Sequence, residues 1–250
     1  MHCIGVIPAR YQSTRFPGKP LANIDGSPMI QWVYERALQA QTLEQVIVAT
    51  DNRKIRDVVE GFGGRVMMTS ERHRSGTDRV AEVSRNFDTA LVVNIQGDEP
   101  LIEPDAIDTA VRPLERYPDR EMSTLATPIT SDAKIDDPNL VKVVFDKEDR
   151  ALYFSRSPIP FRRESTDGTV PGEVTGWQHI GLYVYRREFL LRFAGYSPGQ
   201  LEQIESLEQL RALEYGHTIH VEKTSYRSLP VDTPEDLERV LRQLADTRKE

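Results

Sequence analysis

The chain has 250 residues, enough for one large α/β domain or two closely associated lobes with a buried core. Its hydrophobic fraction of 38% and charged fraction of 28% are typical of a globular protein and exclude a disordered or membrane-spanning one. The net charge of −7 argues against nucleic acid as a partner. The single Cys3 and the lack of an export pattern predict a cytoplasmic protein.

The first half of the sequence alternates apolar runs with amphipathic stretches. The apolar runs predict buried strands at 3–7, 46–50, 66–68 and 91–95. The intervening stretches predict helices after Ser27-Pro28, with Ser27 as N-cap, after Asp51-Asn52 and over 78–87. This alternation predicts an α/β fold with a mainly parallel sheet and helices on both faces. Such sheets bind ligands at the carboxyl ends of their strands.

After about residue 120 the pattern changes to strand-like pieces joined by short turns. Strands are predicted at 122–128, 141–145, 151–154, 179–186 and 219–223, the first three as antiparallel additions. Residues 157–176 predict a long, mobile loop, 202–215 a helix, and Thr233 the N-cap of a last helix. We therefore expect a nucleotide-binding core over 1–120, a second lobe over 121–225 and a return to the core over 226–250.

The loop after the first strand carries the strongest chemical signal. It reads Pro8-Ala9-Arg10-Tyr11-Gln12-Ser13-Thr14-Arg15-Phe16-Pro17-Gly18-Lys19-Pro20. The cations Arg10, Arg15 and Lys19, together with glycine and backbone donors, can wrap a triphosphate. The loop is neither a Walker A motif nor a dinucleotide fingerprint. On charge alone, a solvated basic turn is an equally good interpretation.

Two carboxylates predict a magnesium site. Asp98 follows the fourth predicted strand in Gln96-Gly97-Asp98-Glu99-Pro100, and Asp232 precedes Thr233. Carboxylate oxygens are ligands that Mg²⁺ prefers when it binds phosphate. Each acid by itself could equally be an ordinary turn or helix-start residue, so the prediction requires that the two lie together.

Two further motifs have a functional and a structural interpretation. In Arg74-Ser75-Gly76-Thr77-Asp78-Arg79, small residues let backbone groups approach a base edge, although helix capping by Ser75 or Thr77 also explains them. His179 and Tyr183 share one face of a predicted strand, an arrangement that is more often structural than catalytic.

The predicted helix near residue 208 carries apolar residues at every third position from Leu201 to Leu213. That stripe turns around the helix axis, so we expect more than one side to be buried, against a second subunit or within the chain. Glu205 and Glu208 lie one turn apart and are expected on a solvated face.

Taken together, these segments resemble the CMP-KDO synthetase family, the 3-deoxy-manno-octulosonate cytidylyltransferases. The resemblance covers nearly the whole chain. It rests on IPARYQSTRFPGKPL, ATD, SGTDR, NIQGDEP, KVVFD, ALYFSRSPIP, HIGLYVYR, LEQIESLEQLRALEYG and VDTPEDLE. The first and fourth segments are typical of CMP-sugar-acid synthetases in general, and HIGLYVYR and LEQLR narrow the resemblance to the octulosonate branch.

The resemblance implies a Rossmann-like nucleotidyltransferase with a smaller antiparallel lobe for substrate binding and dimerisation. It implies a homodimer that uses Mg²⁺ to join CTP and 3-deoxy-D-manno-octulosonate (KDO). The products would be CMP-KDO, for lipopolysaccharide biosynthesis, and pyrophosphate, without a covalent protein intermediate. No nucleic acid or membrane partner is implied.

The resemblance also implies a role for each site residue. Arg10, Arg15 and Lys19 would hold the triphosphate and act in catalysis. Asp98 and Asp232 would ligate Mg²⁺ and also act in catalysis, with Asp98 close to the nucleotide. Pro8, Ala9, Arg74, Ser75 and Gly76 would surround the cytosine, largely through backbone groups. Gln96, Arg156, His179, Tyr183 and Glu208 would contact the sugar acid.

Three alternatives stay open. The sugar acid could be a neuraminate or an amino-substituted octulosonate. A catalytically silent nucleotide-binding module on the same fold is a further alternative, although such a module would be expected to lack one of the two carboxylates. A dehydrogenase is disfavoured because the glycine fingerprint is missing.

Overall fold

The fold is described from a computed structural model that covers residues 2–12, 16–130, 132–161 and 174–247. Its strands are β1 Cys3–Ala9, β2 Asn23–Ile24, β3 Ser27–Pro28, β4 Gln45–Thr50, β5 Val66–Met68, β6 Leu91–Asn94, β7 Met122–Ile129, β8 Lys142–Phe145, β9 Ala151–Ser155, β10 Gly176–Arg186 and β11 Ile219–Lys223. Its α-helices are α1 Met29–Ala37, α2 Arg53–Gly61, α3 Gly76–Ser84, α4 Pro104–Arg116, α5 Asp132–Ile135, α6 Arg187–Phe193, α7 Gln200–Glu205, α8 Leu210–Glu214 and α9 Pro234–Thr247.

One mixed sheet connects both halves of the chain. Within the described residues it has nine strands, in the order β11-β7-β10-β6-β1-β4-β5, with β8 paired to β10 and β9 paired to β8. Strands β6, β1, β4 and β5 are parallel, whereas β10 is antiparallel to both β6 and β7. The mainly parallel core and the antiparallel additions are therefore confirmed. The division into 1–120, 121–225 and 226–250 stays a prediction.

Helices cover both faces of this sheet because the side chains of each strand alternate between two cores. In β1, Cys3 and Ile7 pack into the core formed with α1, α2 and α4. Ile4 and Val6 point the other way, into the core formed with α3, α6 and α8. A strand that is apolar at every position, as predicted, thus contributes side chains to the cores on both faces of the sheet.

The predicted strands and most helices lie close to where the sequence places them. The strand predicted over 179–186 already begins at Gly176, and the helix predicted over 78–87 spans Gly76–Ser84. The strand predicted to end before Pro8 continues through Ala9. The first helix begins at Met29, and Pro28 occupies its N-cap position, so the predicted Ser27 cap is wrong. Ser27 instead belongs to the short ribbon β2-β3, which pairs it with Ile24.

The single helix predicted over 202–215 is also wrong. The chain forms two short helices, α7 and α8, because Ser206 adopts a left-handed conformation at φ 54° and ends α7. Of the apolar stripe, Leu207 and Leu210 are buried, whereas Ile204 is 70% exposed. The predicted loop over 157–176 falls mainly on residues outside the described part of the chain.

Across the residues that the structure describes, none of the helices has both the length and the apolar character needed to cross a membrane.

Candidate functional site

The site lies at the carboxyl ends of β1, β4 and β6, where a parallel sheet is expected to bind ligands. Pro8, at the end of β1, is enclosed by two glycines. A Cβ atom on Gly76 would lie 3.2 Å from Pro8 Cγ, and one on Gly97 would lie 3.0 Å from the Pro8 carbonyl oxygen. Glycine at both positions therefore lets the start of α3 and the turn after β6 approach the end of β1 closely.

The two predicted carboxylates meet at a single cation. Lys19 Nζ lies 2.7 Å from Asp98 Oδ2 and 3.0 Å from Asp232 Oδ1. Lys19 stands on a 3₁₀ turn, Lys19–Leu21, that follows Gly18, a glycine in the left-handed conformation. The loop after β1, the turn after β6 and the start of α9 thus converge. Asp98 and Asp232 lie together, as the magnesium prediction requires.

Asp232 is held in place by the segment that precedes α9. The Val231 amide donates to the Asp98 carbonyl oxygen at 2.8 Å. The Asp232 and Thr233 amides donate to the Asp236 carboxylate, and the Asp236 amide donates back to the Thr233 hydroxyl, which confirms Thr233 as the predicted helix cap.

Glu99, for which the sequence predicts no role, lies beside Asp98 and is buried. Its carboxylate accepts hydrogen bonds from the hydroxyls of Tyr226, at 2.7 Å, and Ser228. Burial raises the pKa of Glu99, and the two hydroxyls act in the opposite direction. Its position between Asp98 and Pro100 was the available sequence signal, but a glutamate before proline is common at helix starts.

Arg10 lines a polar cavity of about 390 Å³ at the end of β4. The other residues of this cavity are Tyr11, Gln12, Asp51, Asn52, Glu71, His73 and Arg79. Arg10 donates to the His73 carbonyl oxygen at 3.3 Å, and partial burial followed by the charge of Arg79 lowers its pKa. Arg79, 1% exposed, donates to Asp51 at 2.5 Å. The cavity therefore holds two arginines and two acids, and Arg79 is already paired with Asp51, so Arg10 is the guanidinium placed to meet an anion there.

The predicted cytosine segment begins α3. Ser75 is the N-cap: its hydroxyl accepts from the Asp78 amide, and the Asp78 carboxylate accepts from the amides of Arg74 and Ser75. Capping is thus one observed role of this motif. Gly76 lies against Pro8, Ala9 is buried, and the Arg74 side chain is exposed. Arg15 lies outside the described residues.

A larger cavity of about 450 Å³ opens between β10, β6 and the α7–α8 segment. All five residues predicted to contact the sugar acid line it, namely Gln96, Arg156, His179, Tyr183 and Glu208. Asp232 and Gly76 line the same cavity, so it adjoins both the carboxylate pair and the start of α3. The structure brings these residues together, and their individual roles stay predictions.

Glu208 and Glu205 do not form the expected solvated face. Glu208 accepts from the Thr77 hydroxyl at 2.5 Å and from Arg211 at 3.3 Å. Desolvation raises its pKa, and the Thr77 hydrogen bond is the strongest opposing effect. Glu205 accepts from the Ser155 hydroxyl and the Arg156 amide. Glu205 is the last residue of α7 and bonds to β9, whereas Glu208 follows the left-handed residue Ser206 and lines the cavity.

His179 forms the inner wall of this cavity in its neutral form. It is 9% exposed, and burial lowers its pKa to about 3. Its Nε2 lies 2.9 Å from the Thr124 hydroxyl, and its ring contacts those of Phe154 and Tyr183. Burial also raises the pKa of Tyr183, so both groups present neutral hydrogen-bonding atoms.

Arg156 brings a cation to the same cavity. Its Nε donates to the Glu205 carbonyl oxygen at 2.9 Å, and its Nη1 donates to the Pro138 carbonyl oxygen at 3.2 Å. The buried Lys142 ammonium binds the carbonyl oxygens of Asp137 and Arg156 and so ties together the two segments that carry this wall.

The donor set fits a magnesium ion. Asp98 and Asp232 supply carboxylate oxygens around a position that attracts a cation, the Lys19 ammonium. The described residues contain no group of three or more histidine, cysteine, aspartate or glutamate side chains that could hold a metal alone. Mg²⁺ in proteins is commonly bound by one or two carboxylates, with phosphate oxygens and water completing its coordination shell.

Comparisons with known proteins agree with this geometry. The profile of the cytidylyltransferase family matches residues 4–220. A 3-deoxy-manno-octulosonate cytidylyltransferase of Syntrophotalea carbinolica is 56% identical, with 96% of this chain and 97% of the relative covered. The enzyme of the same name from Geobacter sulfurreducens is 51% identical, with 98% and 100% covered.

The fold agrees as well. A solved structure of a CMP:2-keto-3-deoxy-manno-octonic acid synthetase complexed with CTP is 42% identical. It superposes with a TM-score of 0.92 over 99% of this chain and 100% of that one. The chain therefore belongs to the 3-deoxy-manno-octulosonate cytidylyltransferase family.

Proposed function

We propose that this chain transfers the cytidylyl group of CTP to KDO and releases pyrophosphate. The observation that carries the proposal is the position of Asp232, which lines the larger cavity and also contacts Lys19 beside Asp98. A sugar acid in that cavity would thus lie next to the cations and carboxylates that handle a triphosphate. The relatives named for this reaction cover nearly the whole chain.

In the proposed reaction, the anomeric hydroxyl oxygen of KDO forms a bond to the α-phosphorus while the bond from that phosphorus to pyrophosphate breaks in line. The hydroxyl proton passes to solvent. Arg10 and Lys19 hold the phosphates and offset their charge, and Arg156 faces the sugar-acid carboxylate. Catalysis is mainly positioning and charge neutralisation, as in other phosphoryl transfers.

Asp98 and Asp232 would hold Mg²⁺, which when bound neutralises charge on the phosphate oxygens. Asp98→Asn should lower turnover by at least about 100-fold and leave the fold intact, because the amide keeps the size of the carboxylate and loses its charge. Asp105→Asn is the matched control, since Asp105 is an exposed acid on α4. Near-normal activity of Asp98→Asn would contradict the metal-ligand role.

We also propose that the protein is a cytoplasmic homodimer. Three exposed apolar side chains support the dimer, namely Leu152 in β9 at 61%, Phe161 at 89% and Ile204 in α7 at 70%. Large apolar side chains that are exposed in the single chain are expected to be covered where they form part of a protein interface. Ile204→Asp should shift the mass in solution from dimer to monomer, and an unchanged dimer would contradict this surface.

The reaction is tested by measuring pyrophosphate release from CTP and Mg²⁺. KDO, its amino-substituted analogue and N-acetylneuraminate are compared, with UTP as the nucleotide control. Release with CTP and KDO alone is the expected result. Pyrophosphate release with only one of the other two acids would identify that acid as the substrate. CTP binding without pyrophosphate release, whichever acid is added, would favour a silent nucleotide-binding module.

A further inference from the structure

The carboxylate of Glu99 joins two parts of the chain that are distant in sequence. One oxygen accepts from the Tyr226 hydroxyl and the other from the Ser228 hydroxyl, 127 and 129 positions away. Glu99 is 7% exposed and Tyr226 is 4% exposed, so the bond between them is buried, whereas Ser228 is half-buried at the wall of the larger cavity. Removing one partner from a buried charged bond costs more than the loss of an exposed one.

The segment bound by Glu99 leads directly to Asp232. Three residues after Ser228, the Val231 amide donates to the Asp98 carbonyl oxygen, and Val231 is fully buried. The next side chain is the Asp232 carboxylate, 3.0 Å from Lys19 Nζ. Successive bonds thus connect residues 226–231 to 98–99, and Asp232 follows this connection.

We propose that Glu99 is a positioning residue for the reaction, which holds segment 226–231 against the turn after β6 so that Asp232 reaches Lys19 and Asp98. The metal-binding part of this inference rests on the proposed function. The positioning itself rests on the contacts alone. The hydroxyls of Tyr226 and Ser228 and the backbone of Leu229 all bind the Glu99 carboxylate. Either hydroxyl can be removed without altering Glu99, Asp98 or Asp232.

Tyr226→Phe is the principal variant, and Tyr34→Phe is its matched control. Tyr34 is likewise a buried tyrosine, 6% exposed, and its hydroxyl also makes one hydrogen bond, from the Arg65 amide. Both variants lose one buried hydroxyl from the same core. A purely structural role for Glu99 predicts similar effects of the two, whereas a positioning role predicts effects at Asp232 from Tyr226→Phe alone.

The first measurement is hydrogen exchange of the Val231 amide, which requires no turnover. We expect about tenfold faster exchange in Tyr226→Phe, since a hydrogen bond to a charged group is lost. The Ile95 amide, which donates to the Val6 carbonyl oxygen, should be unaffected. Ser228→Ala should act in the same direction, and it provides a second test should Tyr226→Phe fold poorly.

The second measurement is the Mg²⁺ concentration that gives half-maximal rate, expected to rise about fivefold in Tyr226→Phe and to stay unchanged in Tyr34→Phe. Unchanged Val231 exchange, or an equal change in both variants, would overturn the proposal. So would faster exchange with an unaltered Mg²⁺ requirement. A wild-type protein inactive with every sugar acid would instead refute the proposed function, and the exchange result would still decide the positioning.

Discussion

The hydroxyl of Thr77 donates a hydrogen bond of 2.5 Å to the carboxylate of Glu208, 131 positions further along the chain. Thr77 is the second residue of α3 and directly follows Gly76, which packs on the end of β1. Glu208 lies between α7 and α8 in the wall of the larger cavity. This bond therefore joins the segment predicted to bind cytosine to the cavity predicted to bind the sugar acid.

Thr77→Val should weaken sugar-acid binding. Valine keeps the shape of threonine, but Glu208 loses its shortest hydrogen bond and keeps only Arg211 as a charged partner. We expect the KM for the sugar acid to rise about tenfold and the KM for CTP to change less, as measured by steady-state kinetics. Ser84→Ala removes another buried hydroxyl from α3 and is the control. Equal changes in both KM values would contradict this assignment.

Lys19→Met should make the protein more responsive to Mg²⁺ in the absence of nucleotide. Without the ammonium, Asp98 and Asp232 lose the cation that both now share, and a metal ion can restore that charge balance. We expect a lower Tm than that of the wild type without metal and a larger rise in Tm on adding MgCl₂.

Lys147→Met, which removes an exposed lysine, should respond to Mg²⁺ as the wild type does. An identical Mg²⁺ response in Lys19→Met would show that the two carboxylates do not form a cation site.

Much of this site could be predicted from the sequence because its parts stand at the ends of apolar strands. Asp98 follows β6 and Arg10 follows β1, and parallel strands place such ends at one edge of a sheet. The partnership of Asp98 with Asp232 could be suspected from their chemistry. The sequence does not contain the contact itself, which depends on how α9 returns to the sheet.

His179 should make the fold less stable at acidic pH. Its pKa is about 3 in the folded protein, against an ordinary value of 6.5. Between these values the unfolded chain binds a proton that the folded chain does not. The free energy of unfolding therefore falls as the pH drops below about 6.5.

The measurement is urea denaturation of wild type and His179→Gln at pH 7 and pH 5. From pH 7 to 5 the wild type should lose about 2 kcal/mol more than His179→Gln, at about 1.4 kcal/mol per pH unit. Parallel pH curves for wild type and His179→Gln would contradict the buried neutral histidine.

Ser206→Gly should stabilise the protein. Ser206 has φ 54°, in the left-handed region, which is unfavourable for residues with a Cβ atom and readily adopted by glycine. Because glycine also gains freedom in the unfolded chain, the net gain is expected to be about 0.5 kcal/mol in urea denaturation. Ser197 is exposed and outside the left-handed region, so Ser197→Gly should destabilise instead. A loss of stability in Ser206→Gly would contradict this reasoning.

The break at Ser206 also marks what sequence patterns could not predict. Helical spacing of leucines over 201–213 favours a continuous helix, because such spacing records which residues are apolar and not where the backbone reverses. Serine is not a usual residue for a left-handed helix end, in contrast to glycine. A role for Glu99 could not be predicted for a related reason, since its partners Tyr226 and Ser228 belong to no motif.

The contact between Lys19 and Asp232 spans 213 positions, so it closes most of the polypeptide into one loop. Contacts of such separation form late, because the intervening chain must first be ordered. During synthesis, the strands β1, β4, β5 and β6 can emerge and pair well before residue 232 is made. A nascent chain can thus form the part of the sheet that carries Asp98 while it still lacks Asp232. On the proposed function, a growing chain becomes able to transfer a nucleotide only after residue 232 has been made, which keeps shorter chains from consuming CTP.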